Sequence, residues 1–381
     1  MVYDERIKTF QQRLAGVADV AFLPISADLQ YLIGIPRDIP NFGWTLHPGA
    51  WLEGIWLTPQ HAPVLTLPRM TAEFGGLDAL SDVNLRVLGD WDNPQQLVAE
   101  ILAGFKLPTN PTVAFGDRTH GETVIALQAI LTEPRFTSAT ELLREQRVIK
   151  SEEEIAIMRQ AGAVTEAAFA DVLPRLKHGM TELDVISEVN YQLRRHGSLG
   201  ESFTTSLYNS GPNHPLIFGH REGKSLRELR PPVAILFDFG AIYNGFCYDY
   251  GRTVAFGAPD AEFERVFNLV MQAQATGVAA LRAGQTTCEQ VDSAARQVIE
   301  EAGYGAEFRH RLGHGIGMDV HEPPFLTKGN TTLVQEGMMF TVEPSIMIFD
   351  RCSARVEDVV VVRPDGGEKL TSGHQTLYVV D

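Results

Sequence analysis

The chain has 381 residues, 44% hydrophobic and 21% charged, a composition of water-soluble globular proteins and a length that accommodates two domains. Its 32 Lys+Arg against 48 Asp+Glu leave a formal net charge of −16, which argues against nucleic acid or an anionic membrane surface as the main partner. Cys247, Cys288 and Cys352 form no CxxC pair, so free thiols in a reducing compartment are expected. The opening "MVYDERIKTFQQRLAG" carries early acids and no apolar core of the kind a secretory signal needs. No run approaches the ~18 apolar residues of a membrane span. A cytoplasmic location is expected.

In chain order, residues 4–15 read as a helix, and "DVAFLPISADLQYLIGI" as a strand, a turn and a short apolar helix or strand. "GAWLEGIWLTPQHAPVLTLP" alternates like a hairpin with "TPQHAP" as its turn. "LRVLGDW" and "PTVAFGD" look like short buried strands, with helices at "NPQQLVAEILAGF" and "GETVIALQAILTE". This first part reads as an α/β domain. The next stretch, "ATELLREQRVIKSEEEIAIMRQAGAVTEAAFADVLPRL", is long, charged and helical. Ser151 and Glu154 make a capping-box pattern, and Ile155, Met158, Ala161, Val164, Ala168 and Val172 then recur on one helical face. The boundary is placed before this helix, giving domains 1–140 and 141–381. Further helices are expected at "TELDVISEVNYQLRRHG", "AEFERVFNLVMQAQATGVAALR" and "TCEQVDSAARQVIEEAGYG". Strands are expected at "VAILFDFGAIYNGFCYDYGRTVAFG", "MMFTVEPSIMI" and "ARVEDVVVVRP". The second domain is thus α/β with hairpins rather than an alternating parallel sheet.

Two carboxylates, Asp238 and Asp249, interrupt the apolar "LFDFGAIYNGFCYD". In one straight strand, positions an odd number apart would point to opposite faces. Asn244-Gly245, however, is a strong hairpin signal, because a type I′ turn needs two residues with positive φ. Folding there sets Tyr243 against Phe246 and Gly240 against Asp249, which puts Asp238 and Asp249 on one face as diagonal neighbours. Two buried carboxylates repel unless a cation lies between them.

Other polar groups sit in equally apolar surroundings. His314 lies in "GHGIG", where flanking glycines let the backbone bring the ring into a crowded site. Glu343 is read as the middle of one strand in "MMFTVEPSIMI", kept extended by Pro344. Glu357 interrupts "ARVEDVVVVRP", with Arg355 two residues before it on the same face. Each Glu alone could be explained by a salt bridge to an arginine. Taken together, Asp238, Asp249, His314, Glu343 and Glu357 carry four negative charges, which two divalent cations would balance. An oxygen-rich set with one nitrogen suits Mn²⁺, Co²⁺, Fe²⁺ or Zn²⁺, with manganese preferred. It equips a site to activate water and polarise a carbonyl, the requirements of amide hydrolysis.

The order of these residues, with Gly-His-Gly-Ile-Gly, Glu-Pro and Arg-x-Glu-Asp around them, resembles the pita-bread metallopeptidases: methionine aminopeptidase, aminopeptidase P, prolidase and the metal-free creatinase. The resemblance spans the second domain and, through "DVAFLPISADLQYLIGI", extends more loosely to a creatinase/prolidase-like N-terminal domain. It implies an α/β (α+β) architecture, a creatinase-like N-terminal domain followed by a pita-bread catalytic domain. It implies Asp238 on one ion, Asp249 and Glu357 bridging two, His314 and Glu343 completing the shell, and Glu343 as general base. His321 resembles a histidine that contacts the substrate carbonyl, and Arg355 and His310 resemble substrate-binding residues of the same pocket. His321, Arg355 and the N-terminal domain favour the Xaa-Pro branch, aminopeptidase P or prolidase. The complete ligand set counts against a creatinase. Small peptides are the implied substrates, and a homodimer is expected.

One segment departs from the family pattern. A Pro-His pair usually supplies a proton-shuttling histidine, whereas "NSGPNHPLIFGHREG" offers His214 and His220 without that proline before His220. His220 has the closer spacing to Asp238 and is preferred. The departure leaves open a related hydrolase of a non-proline small amide, ectoine hydrolase-like. A non-catalytic binding protein on the same scaffold is expected to have lost ligands, and all five are present.

Overall fold

The structure is a computed structural model that describes residues 2–37, 48–77, 83–217, 221–372 and 376–381. The chain divides into two compact units, Met1–Arg147 and Val148–Asp381.

The first unit contains α1 (Val2–Leu14), β1 (Val20–Pro24), α2 (Ala27–Ile33), β2 (Gly54–Leu57), β3 (Val64–Pro68), α3 (Arg69–Phe74), β4 (Asn84–Leu88), α4 (Pro94–Gly104), β5 (Thr112–Phe115), α5 (Gly121–Ile130), β6 (Arg135–Ser138) and α6 (Thr140–Arg147). Its six strands form one mixed sheet in the order β4-β3-β2-β1-β5-β6. The expected hairpin is the antiparallel β2–β3 pair. Phe22, Trp56, Val98 and Leu127 belong to the core of this unit, and the buried Trp56 indole donates to Thr66 Oγ1 at 3.0 Å. The unit ends at Arg147 rather than at 140. The reason is that α6 is tied back to its own unit: Arg13 pairs with Glu145 at 2.7 Å, and the buried Arg147 pairs with Asp28 at 2.5 Å.

The second unit opens with α7 (Glu152–Val172), whose capping box is formed in both directions between Ser151 and Glu154. The six periodic residues from Ile155 to Val172 named above are all buried. It continues with α8 (Glu182–Arg195), β7 (Ser206–Ser210), α9 (Arg221–Ser225), β8 (Val233–Phe239), β9 (Ile242–Tyr243), β10 (Phe246–Cys247), β11 (Tyr250–Phe256), α10 (Ala261–Ala280), α11 (Cys288–Glu301), β12 (Gly313–Gly315), β13 (Glu322–Leu326), β14 (Met339–Val342), β15 (Ser345–Ile348), β16 (Cys352–Arg355), β17 (Asp358–Arg363), β18 (Gly366–Lys369) and β19 (Tyr378–Val380). Two larger sheets run β19-β11-β8-β7 and β13-β12-β14-β17-β18. Phe267, Val291, Leu312, Phe340 and Val360, from both helices and strands, share one core cluster.

Two of the expected strands are each broken in two. "MMFTVEPSIMI" is β14 and β15, and "ARVEDVVVVRP" is β16 and β17. β14 pairs with β17, while β15 pairs separately with β16. Glu343-Pro344 and Val356-Glu357 are therefore the points where the chain leaves one sheet for another. Glu343 and Glu357 sit at these breaks, not in mid-strand. A break at a strand end frees a side chain to point into a cavity without disturbing the ladder beyond it.

All three cysteines are free and buried. Among the described residues, no helix is long and apolar enough to cross a membrane.

Candidate metal centre

The hairpin has the register the Asn244-Gly245 turn predicts. Asn244 has φ 46° and Gly245 φ 80°, and Tyr243 pairs with Phe246. Further down, Asp238 stands opposite Gly251 and Phe239 opposite Tyr250. Gly240 is sterically required, since a Cβ there would lie 1.7 Å from the Tyr248 carbonyl oxygen. On the second sheet a Cβ at Gly313 would lie 1.9 Å from the Thr341 carbonyl oxygen, and one at Gly315 2.5 Å from that of Glu322. The strands flanking His314 thus close on its backbone.

These elements converge on a cavity of about 670 Å³, lined by Asp238, Asp249, His314, Glu343 and Glu357, and also by His310, His321 and Arg355. His314 Nε2 lies 3.5 Å from Asp249 Oδ2 and 3.4 Å from Glu343 Oε1. Its Nδ1 lies 3.0 Å from the Gly315 carbonyl oxygen. A carbonyl can only accept, so Nδ1 carries a proton, which leaves Nε2, on the carboxylate side, as the nitrogen that would ligate a metal. Burial would lower the pKa of this ring, but the Asp249 and Glu343 carboxylates outweigh it and raise it. Arg355 Nη1 donates to Asp238 Oδ2 at 2.7 Å and lies 3.7 Å from Glu343 Oε2. Thr341 Oγ1 donates to Glu343 Oε1 at 3.2 Å.

The electrostatics are those of carboxylates crowded beyond what one arginine balances. Burial, followed by the charges of Asp249 and Glu343, raises Asp238 to about 7 against the opposing pull of Arg355. Burial and the same neighbouring carboxylates raise Glu357 well above the usual range. Glu343 goes the other way: burial would raise it, but Arg355, followed by His314, outweighs that and holds it below the ordinary value. Asp249 Oδ1 and Glu357 Oε2 are buried and have no hydrogen-bond partner. Ligand atoms of Asp249, His314 and Glu357 all lie within 4.8 Å of one another. Orphaned buried oxygens beside an imidazole nitrogen that faces carboxylates fit a divalent cation.

Other predicted residues fall around this cluster. The His321 ring lies edge-on to His314, centroids 4.1 Å apart. Partial burial, reinforced by the neighbouring His314, lowers its pKa and keeps it neutral. His310 sits beside Arg355, Nε2 to Nη2 3.4 Å. His214 is buried, does not line the cavity, and has neither ring nitrogen hydrogen-bonded. His220 lies outside the described residues.

Three supporting residues escaped the sequence reading. Buried Lys150 pairs with buried Glu322 at 3.1 Å, next to His321. Buried Arg252 donates to the Glu357 carbonyl at 2.6 Å and to Asp358 at 2.5 Å. Ser345 Oγ lies 2.5 Å from His310 Nε2. The only sequence signal for Lys150 and Arg252 was a charged residue inside an otherwise apolar or capping context.

Residues 156–364 match the model of metallopeptidase family M24. The chain belongs to family M24. It is a metallopeptidase, and membership implies the use of divalent metal. It is 35% identical over 367 residues to an Xaa-Pro dipeptidase of Lactobacillus delbrueckii subsp. lactis, covering 95% of each chain. It is 34% identical over 370 residues to a probable dipeptidase PepE of Mycobacterium tuberculosis, covering 96% of this chain and 93% of that one. Among solved structures, a recombinant prolidase from Thermococcus sibiricus superposes with a TM-score of 0.87 at 27% identity, covering 100% of both chains. This M24 enzyme has the α/β architecture of that group, a creatinase-like N-terminal unit followed by a pita-bread unit.

Proposed function

We propose that this metallopeptidase holds two divalent ions and hydrolyses the Xaa-Pro bond of Xaa-Pro dipeptides or at the N-terminus of short peptides. The observation that carries the reading is the convergence of Asp238, Asp249, His314, Glu343 and Glu357 on one cavity that His321 and Arg355 also line. The similarity to an Xaa-Pro dipeptidase along nearly the whole chain supports the proline preference. Ions held there supply Lewis acidity and an acidified water.

In this reading the chain's own groups do the following. Asp238, Asp249, His314, Glu343 and Glu357 are the ligands. Glu343, kept ionised chiefly by Arg355, accepts the proton of the attacking water. Neutral His321 donates an N–H to the substrate carbonyl oxygen as charge develops on it. His310 and Arg355 shape the substrate side of the cavity, and His220 returns the proton to the leaving nitrogen. Manganese is the proposed ion, on the oxygen-rich donor set, and a cytoplasmic homodimer is the proposed form.

The test is turnover of Xaa-Pro, Xaa-Pro-Yaa and non-proline amides by apo-protein to which Mn²⁺, Co²⁺ or Zn²⁺ is added, with metal stoichiometry and molar mass measured alongside. Hydrolysis of non-proline amides with none of Xaa-Pro substrates sinks the proline reading. A stoichiometry of one sinks the dinuclear reading.

A further inference from the structure

His310 lines the cavity, yet both of its ring nitrogens are already engaged. Nδ1 lies 2.7 Å from the carbonyl oxygen of Arg311. Nε2 lies 2.5 Å from Ser345 Oγ and 3.4 Å from Arg355 Nη2. The ring also packs edge-on against Phe308, centroids 5.2 Å apart, and its backbone carbonyl accepts from Arg296 Nη2 at 2.8 Å.

Three protonation forms can be compared with this environment. A neutral ring protonated on Nε2 would set the Nδ1 lone pair against the lone pairs of the Arg311 carbonyl. It would also aim its own N–H toward the guanidinium of Arg355. A doubly protonated ring would put a second cation beside that guanidinium in a buried place; burial, followed by Arg355, lowers its pKa to about 4. The neutral form protonated on Nδ1 fits every contact: Nδ1–H donates to the carbonyl, and the single Nε2 lone pair accepts from the Ser345 hydroxyl at 2.5 Å while also facing the Arg355 guanidinium at the longer 3.4 Å.

We propose that Ser345 is a positioning residue that acts through His310 on Arg355. Its hydroxyl donates to Nε2, locks His310 as the Nδ1–H tautomer, and so fixes the acceptor that holds one arm of the Arg355 guanidinium while the other arm grips Asp238. A serine oxygen 2.5 Å from a histidine nitrogen has the spacing of a nucleophile and its base. Here that role is excluded, because Ser345 is fully buried and does not line the cavity. His310 is accordingly an acceptor and not a proton donor to substrate. The tautomer holds whatever the substrate is; only the kinetic readout rests on the peptidase reading.

The test uses the full chain loaded with Zn²⁺ and labelled with ¹⁵N-histidine. The His310 resonances are assigned by their loss in His310→Asn. Two-bond ¹H–¹⁵N spectra are expected to show Nδ1 protonated and Nε2 bare in the wild type, and a mixed or shifted pattern in Ser345→Ala. Losing one such hydrogen bond is expected to lower kcat about tenfold with KM nearly unchanged, and Ser345→Thr, which keeps the hydroxyl, is expected to restore kcat. A wild-type spectrum with Nε2 protonated overturns the proposal even if Ser345→Ala fails to fold. So does a folded Ser345→Ala with wild-type kcat and an unchanged His310 spectrum. If no Xaa-Pro substrate is turned over, kinetics move to whichever amide is, and the spectral arm stands unaltered.

Discussion

Asp238 stands opposite Gly251 across the β8–β11 pair, and the missing side chain at Gly251 is what lets Glu357 approach. A Cβ at Gly251 would lie 2.8 Å from both Cβ and Oε2 of Glu357. The two backbones bond there too, Glu357 N donating to the Gly251 carbonyl at 2.9 Å. Gly251→Ala must therefore push Glu357 away from Asp249. The expected cost in stability is about 1–3 kcal/mol, with metal affinity weakened on the order of 10–100-fold. Isothermal titration with Zn²⁺ checks it; unchanged affinity in a folded variant would remove Glu357 from the ligand set.

Glu343 is a buried carboxylate held below its ordinary pKa despite its burial, first by Arg355 and then by His314. Glu343→Gln keeps the shape and an oxygen donor but removes the proton acceptor. Peptidase activity is expected to fall by roughly 10²–10⁴ while at least one equivalent of metal remains bound. Near-full activity with metal bound would mean that another group takes the proton.

Much of this site was legible from local rules, and the failures have a common cause. The Asn244-Gly245 turn sets the register by backbone conformation alone, so the shared face of Asp238 and Asp249 could be read from a few residues. The capping box and apolar stripe of α7 are local as well. In sequence Glu343 and Glu357 stand out as polar groups in apolar runs, and each run reads as one continuous strand. What breaks them is the exchange of pairing partners, β14 with β17 and β15 with β16, and no local pattern encodes which strand lies alongside. The same holds for Lys150 with Glu322 and Ser345 with His310: each half of the pair is unremarkable in sequence, and only the fold brings the halves together. The division of the chain after Arg147 has the same character, since the ties of α6 are to Arg13 and Asp28, far away in the chain.

Arg252 and Asp358 form a buried ion pair directly behind Glu357, at 2.5 Å, with both side chains almost wholly inaccessible. Asp358 also accepts from Gln274 Nε2 at 2.7 Å and Thr371 Oγ1 at 2.8 Å. Burial would raise its pKa, but Arg252 and Lys369 outweigh this and keep it ionised. Arg252→Met leaves that carboxylate buried with less compensation and also frees the Glu357 carbonyl. The expected loss is about 3–5 kcal/mol in urea denaturation, with weaker metal binding. A loss below about 1 kcal/mol, within the range of an exposed pair, would show that Lys369, at 3.2 Å from Asp358, suffices alone.

His214 gives the protein a built-in acid sensitivity away from the cavity. Burial, followed by the charge of Arg227, lowers its pKa to about 4. In the unfolded chain an ordinary histidine takes up its proton near 6.5. Above that value both states are neutral and the group's contribution is fully present. As pH falls from about 6.5 toward 4, the unfolded state binds a proton that the folded state refuses, so stability is lost. The loss from this one group between pH 7 and pH 5 is expected to be roughly 2 kcal/mol. Comparing urea denaturation of the wild type and His214→Gln at the two pH values isolates it: the variant's stability should fall by that much less. Equal falls in both proteins would mean that His214 is protonated, or exposed to water, in the folded state.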